Sequence, residues 1–103
     1  DLHHGLASAL MIDTVLAWNH DAVPQRFDEL AHAAGLTGGG AAFVPWLRGL
    51  KSAIGIRGGL AAHGVQAGQM ARLVELASRD FAGATNPRPA GPADYERLFR
   101  EAM

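Results

Sequence analysis

Residues 5–18 read GLASALMIDTVLAW, and their apolar positions decide the fold class. Leu6, Leu10, Met11, Val15 and Trp18 fall three to four residues apart, with Leu10 and Met11 adjacent. That spacing puts them on one stripe of a 3.6-residue helix. Asn19 follows as the expected stop. The same rhythm returns downstream. Pro24 suits the first turn of a second helix, with Phe27, Leu30, Ala31 and Ala34 as its apolar stripe and Gly35 at its end. Thr37-Gly38-Gly39-Gly40 reads as a loop. A third helix is predicted over 41–54, with Phe43, Trp46, Leu47, Leu50 and Ile54 facing inward and Pro45 tolerated in its first turn. Gly55 would cap it, with Ile56 as a single apolar anchor beyond. Residues 58–64 suggest one short turn ended by Gly64. Residues 66–81 are helical again through Met70, Leu73, Val74, Ala77 and Phe81. A Gly- and Pro-rich loop spans 83–92. Pro92-Ala93-Asp94 then opens a last helix with Tyr95, Leu98, Phe99 and Ala102 inward.

No stretch shows the β-branched alternation of a strand, and alanine is abundant. The predicted class is all-α, a bundle of five to six helices forming one domain over 1–103. A hydrophobic fraction of 49% with 18% charged residues is that of a globular chain. A formal net charge of -1 gives no pull toward nucleic acid or an anionic membrane surface. The absence of cysteine excludes disulfide scaffolds and thiolate metal sites. No apolar run approaches the roughly 18–20 residues that span a bilayer. Asp1-Leu2-His3-His4 lacks the basic and apolar parts of a signal peptide, so a cytoplasmic location is expected. The chain opens on Asp1 rather than Met, which suggests a truncated or trimmed longer protein.

Five histidines are the first candidates for chemistry. His3 and His4 are adjacent, and neighbours on a helix diverge by about 100°. A closed metal site needs three or four convergent ligands. If His4 binds a metal, the other ligands lie outside this chain. The polar reading of the pair is an N-terminal solvated dipeptide. His20 and His32 read as solvated, and His63, before Gly64, as a group that caps helix-end carbonyls. Asp28 and Glu29 read as a solvated face, and Arg48, Lys51 and Arg57 as a charged outer face, with a small basic edge as the alternative. The triple glycine lacks a following Lys-Ser/Thr and a preceding strand, so it is no phosphate cradle. Asn86-Pro87-Arg88-Pro89 is stiffened by two prolines. It either docks another domain through Arg88 or serves as a rigid connector.

In order, these segments resemble the iron-containing alcohol dehydrogenase family. His4-Gly5-Leu6-Ala7-Ser8-Ala9-Leu10-Met11, followed by Trp18-Asn19, is similar to the family's HG-L-A-N-A helix and its aromatic-Asn ending. Phe27-Asp28-Glu29-Leu30-Ala31 with Ala34-Gly35-Leu36 is similar to the next helix and its ALG ending. Residues 47–55 (LRGLKSAIG) resemble the segment before an LP-x-x-L turn, and Thr85-Asn86-Pro87-Arg88-Pro89 the C-terminal signature. Two departures stand out. His3 occupies the position where the family often has Pro, which keeps His3 as the alternative ligand. Ile12-Asp13-Thr14 replaces a Leu-Pro-His triplet, and places an acid one or two turns below the site with an expected effect on substrate preference.

The resemblance implies an N-terminal dinucleotide-binding domain, absent from this chain, and a C-terminal helical domain. A divalent metal, Fe2+ or Zn2+, is held there by an Asp and three His, and the last of those His falls on His4. NAD(P) accepts hydride as an alcohol becomes an aldehyde or ketone. The resemblance assigns no catalytic residue within these 103 positions, and the isolated piece is expected to be inactive. Its partners would be its own N-terminal domain and a small alcohol or aldehyde. An exposed interdomain face would also self-associate, so a homo-oligomer is expected. The alternative is a stand-alone helical interaction module without catalysis.

Overall fold

A computed structural model describes residues 3–103, with the side chains of residues 81 and 82 outside the description. Asp1, Leu2 and the inward packing expected of Phe81 therefore lie outside the described residues. Among these residues there are five α-helices and no strand: α1 (His4–His20), α2 (Pro24–Ala33), α3 (Phe43–Ala53), α4 (Met70–Arg79) and α5 (Pro92–Ala102). The all-α class is as expected. Short 3-10 turns at Gly40–Ala42, Ala61–His63, Ala67–Gln69 and Phe81–Thr85 fill the connections.

Helix α1 is the axis of the fold, packing α3 on one side and α5 on another. It can do so because apolar side chains cover most of its circumference, from Leu6 and Leu10 to Ile12 and Leu16. Leu10 joins Leu60 and Ala102 in the buried cluster, with Leu6, Met11, Ile56, Val65 and Phe99 packed around it. Burying a leucine of this kind contributes about 1.5–3 kcal/mol. The carbonyls of the C-terminal residues accept from the next layer: Leu60 donates to Ala102 at 2.7 Å and Ala61 to Met103 at 3.1 Å. Gly59 makes this approach possible, since a Cβ there would overlap the Ala102 and Met103 carbonyls. α5 starts as its sequence predicts. Pro92 sits in the first turn, and the Asp94 carboxylate reaches back to accept from the Gly91 amide at 2.9 Å.

Several local expectations need correction. Helix α1 does not stop before Asn19; it continues to His20, and Asn19 is buried. The expected 66–81 helix begins as a 3-10 turn, becomes α-helical at Met70 and ends at Arg79. Phe81–Thr85 adds a 3-10 turn where a plain loop was expected. Asp28 is not merely solvated: its Oδ1 accepts from Gly40 N at 2.7 Å. That contact pulls the triple-glycine loop onto α2. A Cβ on Gly40 would lie 2.9 Å from the Phe27 and Asp28 backbone.

The largest correction concerns α3. Trp46, Leu50 and Ile54 were expected inside, yet they are 39%, 41% and 64% exposed, and Val44 is the buried residue instead. Leu30 of the α2 stripe is also exposed, whereas Phe27 and Ala31 are buried as predicted. The molecule measures 41 × 31 × 18 Å. Its short dimension is under two helix diameters of about 10 Å, so an outer helix has a partner on one side only.

Candidate functional site

His4 is the first residue of α1, and His3 is its N-cap with extended backbone. Both are exposed. His3 folds back so that its Nδ1 accepts from Gly5 N at 3.1 Å, while its carbonyl accepts from Ala7 N at 2.9 Å. The His4 side chain has no such contact among the described residues. The other histidines stay apart. His20 is sixteen residues further along the same helix, about 24 Å at 1.5 Å per residue. It is not a solvated loop residue: its ring meets Phe27 edge-on at 4.9 Å, and Phe27 in turn meets Phe43. His32 is exposed. His63 contacts a carbonyl as anticipated, that of Arg57, at 2.8 Å from Nε2. Among the described residues no three His, Asp or Glu side chains come together as a metal site.

Asp13 lies nine residues beyond His4, about 13–14 Å along α1. It turns to α3, where Oδ1 accepts from Lys51 Nζ at 2.7 Å and Oδ2 from Arg48 Nε at 3.1 Å. Burial pushes its carboxyl pKa up, but the hydrogen bonds from Lys51 and Arg48 outweigh that and hold it below the usual value of 3.8. Arg48 and Lys51 are therefore not simply a solvated edge. Their signal was present in the sequence: residues 48 and 51 are one turn apart and share a helix face, as a common partner requires. Nothing in the local pattern says that the partner is Asp13. With Ser52, Ile56, Arg57 and Gly58 these three line an open concavity of about 340 Å³.

The Asn-Pro-Arg-Pro loop folds back on the end of α1. Asn86 and Asn19 exchange side-chain hydrogen bonds at 2.8 and 2.9 Å, and Asn86 also donates to Arg88 O at 2.6 Å. Arg88 lays its guanidinium 4.1 Å from the centre of the Trp18 ring and donates from Nη1 to Trp18 O at 2.8 Å. The contact that the structure gives Arg88 is thus within the chain, across seventy residues. Among the described residues, Trp18 Nε1 is buried without a hydrogen-bond partner. Beside it, an apolar cleft of about 360 Å³ runs between α1 and α5, bordered by Met11, Val15, Tyr95, Leu98 and Phe99. No helix among the described residues is long and apolar enough to cross a membrane.

Comparison with known proteins adds to this geometry. The family described as Fe-containing alcohol dehydrogenase family, C-terminal, matches residues 1–103. A 4-hydroxybutyrate dehydrogenase of Cupriavidus necator is 30% identical over 99% of this chain and 28% of its own length. The 1,3-propanediol dehydrogenases of Citrobacter freundii and Klebsiella pneumoniae are 27% and 28% identical, each over 100% of this chain and 28% of the relative. The chain thus spans a little over a quarter of the curated relatives it matches. No solved structure matches it significantly.

Proposed function

The chain belongs to the iron-containing alcohol dehydrogenase family, matching its C-terminal part, and on that premise we propose that it is the metal-side helical part of an enzyme interconverting an alcohol and an aldehyde or ketone. The observation that carries this reading is the family match over all 103 residues, with the His4-Gly5 pair at the exposed start of α1.

His4 is proposed as one metal ligand, and the support for it over His3 is chemical. Because His3 Nδ1 accepts the Gly5 N–H, the neutral His3 ring keeps its proton on Nε2 and has no second lone pair to offer. Among the described residues the His4 imidazole has no hydrogen-bond or ion-pair partner, leaving a ring nitrogen for a cation. One imidazole fits one coordination position of Fe2+ or Zn2+, and not four. The remaining donors, and the NAD(P)-binding domain, are assigned to the longer enzyme that the relatives' lengths suggest. When bound, the metal would polarise the substrate oxygen and the nicotinamide would take the hydride. This chain's own part is to place His4 at the positive end of α1, where the helix dipole favours negative charge on a nearby oxygen. A piece holding one donor is inactive alone.

The relatives act on 4-hydroxybutyrate and 1,3-propanediol, which supports a short alcohol carrying a second polar group as substrate. The exposed Trp46, Leu50 and Ile54 row on α3 is the surface we assign to the dinucleotide-binding part of the same polypeptide. Arg88, we infer, docks the C-terminal loop and α5 onto α1 and so steadies the helix that bears His4.

The test is His4→Ala in the full-length enzyme, with bound metal measured by mass spectrometry beside turnover. Loss of both is expected, while His3→Ala retains metal. A His4→Ala enzyme with full metal and full activity would remove His4 from the site.

A further inference from the structure

Charge in this protein is distributed unevenly in a way its net value hides. There are nine Lys and Arg residues. Arg26, Arg72, Arg79, Arg97 and Arg100 each pair with a glutamate of their own helix. Arg88 is spent on Trp18. The three that remain, Arg48, Lys51 and Arg57, line one concavity of about 340 Å³ and share a single carboxylate, Asp13. Three cations against one anion leave a formal excess of two positive charges in one depression of a protein whose net charge is -1.

The depression is held in shape from several sides. Lys51, whose side chain is only 12% exposed, is pinned by Asp13 Oδ1, and Arg48 by Oδ2 through Nε alone. Among the described residues, both terminal nitrogens of Arg48 are left for another acceptor. The turn that carries Arg57 is fixed by Gly55 and Gly58, with φ of 89° and 74°, and by Ile56, which packs on the core. Ile56 N also donates to Lys51 O at 2.9 Å, and Arg57 O is held by His63. The Leu50, Lys51 and Ser52 carbonyls accept from the amides of residues 54–56, so these three do not face the cations as free acceptors. The Arg57 guanidinium makes no hydrogen bond, ion pair or ring contact among the described residues.

We propose that this concavity binds an oxyanion, the phosphate or carboxylate group of a small ligand. Guanidinium groups match both planar carboxylates and phosphates through paired N–H donors. The position argues that this is a second site rather than the far end of the alcohol site. Asp13 is about 13–14 Å along α1 from His4, whereas a four-carbon hydroxy acid spans about 6 Å at bond lengths near 1.5 Å. That an oxyanion binds here stands on charge and geometry alone; only the separateness of the site from the alcohol site rests on the proposed role of His4.

Amide chemical shifts of the protein, titrated with inorganic phosphate and in parallel with succinate at constant ionic strength, provide the test. Saturable shifts centred on Gly58 and the residue 48 and 57 side-chain N–H groups are expected, with Arg57→Gln weakening binding roughly tenfold. Because the Arg57 side chain has no internal partner, this variant keeps its fold, checked by its unfolding midpoint. Arg26→Gln, which removes an equal charge elsewhere, should bind as the parent does. Saturation with phosphate alone identifies a phosphate ligand, and with succinate alone a carboxylate ligand. Non-saturating shifts with both probes, or an unaltered curve for Arg57→Gln, overturn the proposal.

Discussion

Removing the Asp13 carboxylate tests how α1 is tied to α3. The Asp13 and Lys51 side chains are 15% and 12% exposed, and their charged atoms are 2.7 Å apart. Asp13→Ala leaves the Lys51 ammonium largely withdrawn from water with no counter-ion. Breaking a fully buried pair costs about 3–5 kcal/mol; with partial exposure here, about 2–3 kcal/mol is expected. For a domain of this length that corresponds to a fall in Tm of roughly 10–20 °C. The Arg48 arm contributes far less. Arg48 is 55% exposed, so Arg48→Ala should cost under about 1 kcal/mol. Replacing the pair together, Asp13→Leu with Lys51→Met, should recover most of the loss, because neither buried charge is stranded.

The effect also has a pH signature. Burial raises the Asp13 pKa, but the Lys51 and Arg48 hydrogen bonds lower it by more, for a net value below 3.8. A carboxyl whose folded pKa lies below its unfolded one stabilises the fold above the unfolded value, and that contribution disappears as pH falls through the folded value. The stability gap between parent and Asp13→Ala should therefore be full near neutrality and shrink below about pH 4. Urea unfolding followed by tryptophan fluorescence measures it at each pH. A gap under about 0.5 kcal/mol at neutral pH, within the range of ordinary surface changes, would refute the packing argument. So would a gap that stays constant down to about pH 3.

Three further variants have expected outcomes from the geometry. Arg88→Ala should lower stability by about 1–2 kcal/mol, since it removes a cation over the Trp18 ring and a charged donor to Trp18 O; an unchanged unfolding midpoint would show the loop to be only a connector. Gly59→Ala should cost about 1–3 kcal/mol or more through overlap with the Ala102 and Met103 carbonyls. Gly49→Ala, inside α3 with nothing near its would-be Cβ, should instead gain about 0.5–1 kcal/mol. Equal midpoints for the two glycine variants would contradict the close approach at residue 59.

The candidate ligand was legible only in part. His4 has no distinguishing spacing; its place in an ordered set of family segments picks it out. The choice over His3 took on physical content only with the Nδ1 contact to Gly5. Arg48, Lys51 and Arg57 were grouped by the sequence, but the concavity they share with Asp13 was not, because Asp13 sits on α1 while the cations sit on α3 and in the turn that follows.

Helix identity and approximate limits were properties of the sequence itself. Pro24, Pro92, Gly35, Gly55 and Gly64 act within a few residues, and periodicity along one helix needs no partner to exist. Which stripe meets the core was another matter. Phe27, Ala31, Leu98 and Ala102 went inside as their spacing foretold, while Trp46, Leu50 and Ile54, equally periodic, stayed at the surface. An apolar stripe records that a helix has something to cover, not what covers it. The Asn19–Asn86 and Asp13–Lys51 bonds join residues 67 and 38 positions apart. Only tertiary structure could decide those, because a hydrogen bond acts over about 3 Å of space and no local pattern encodes that distance.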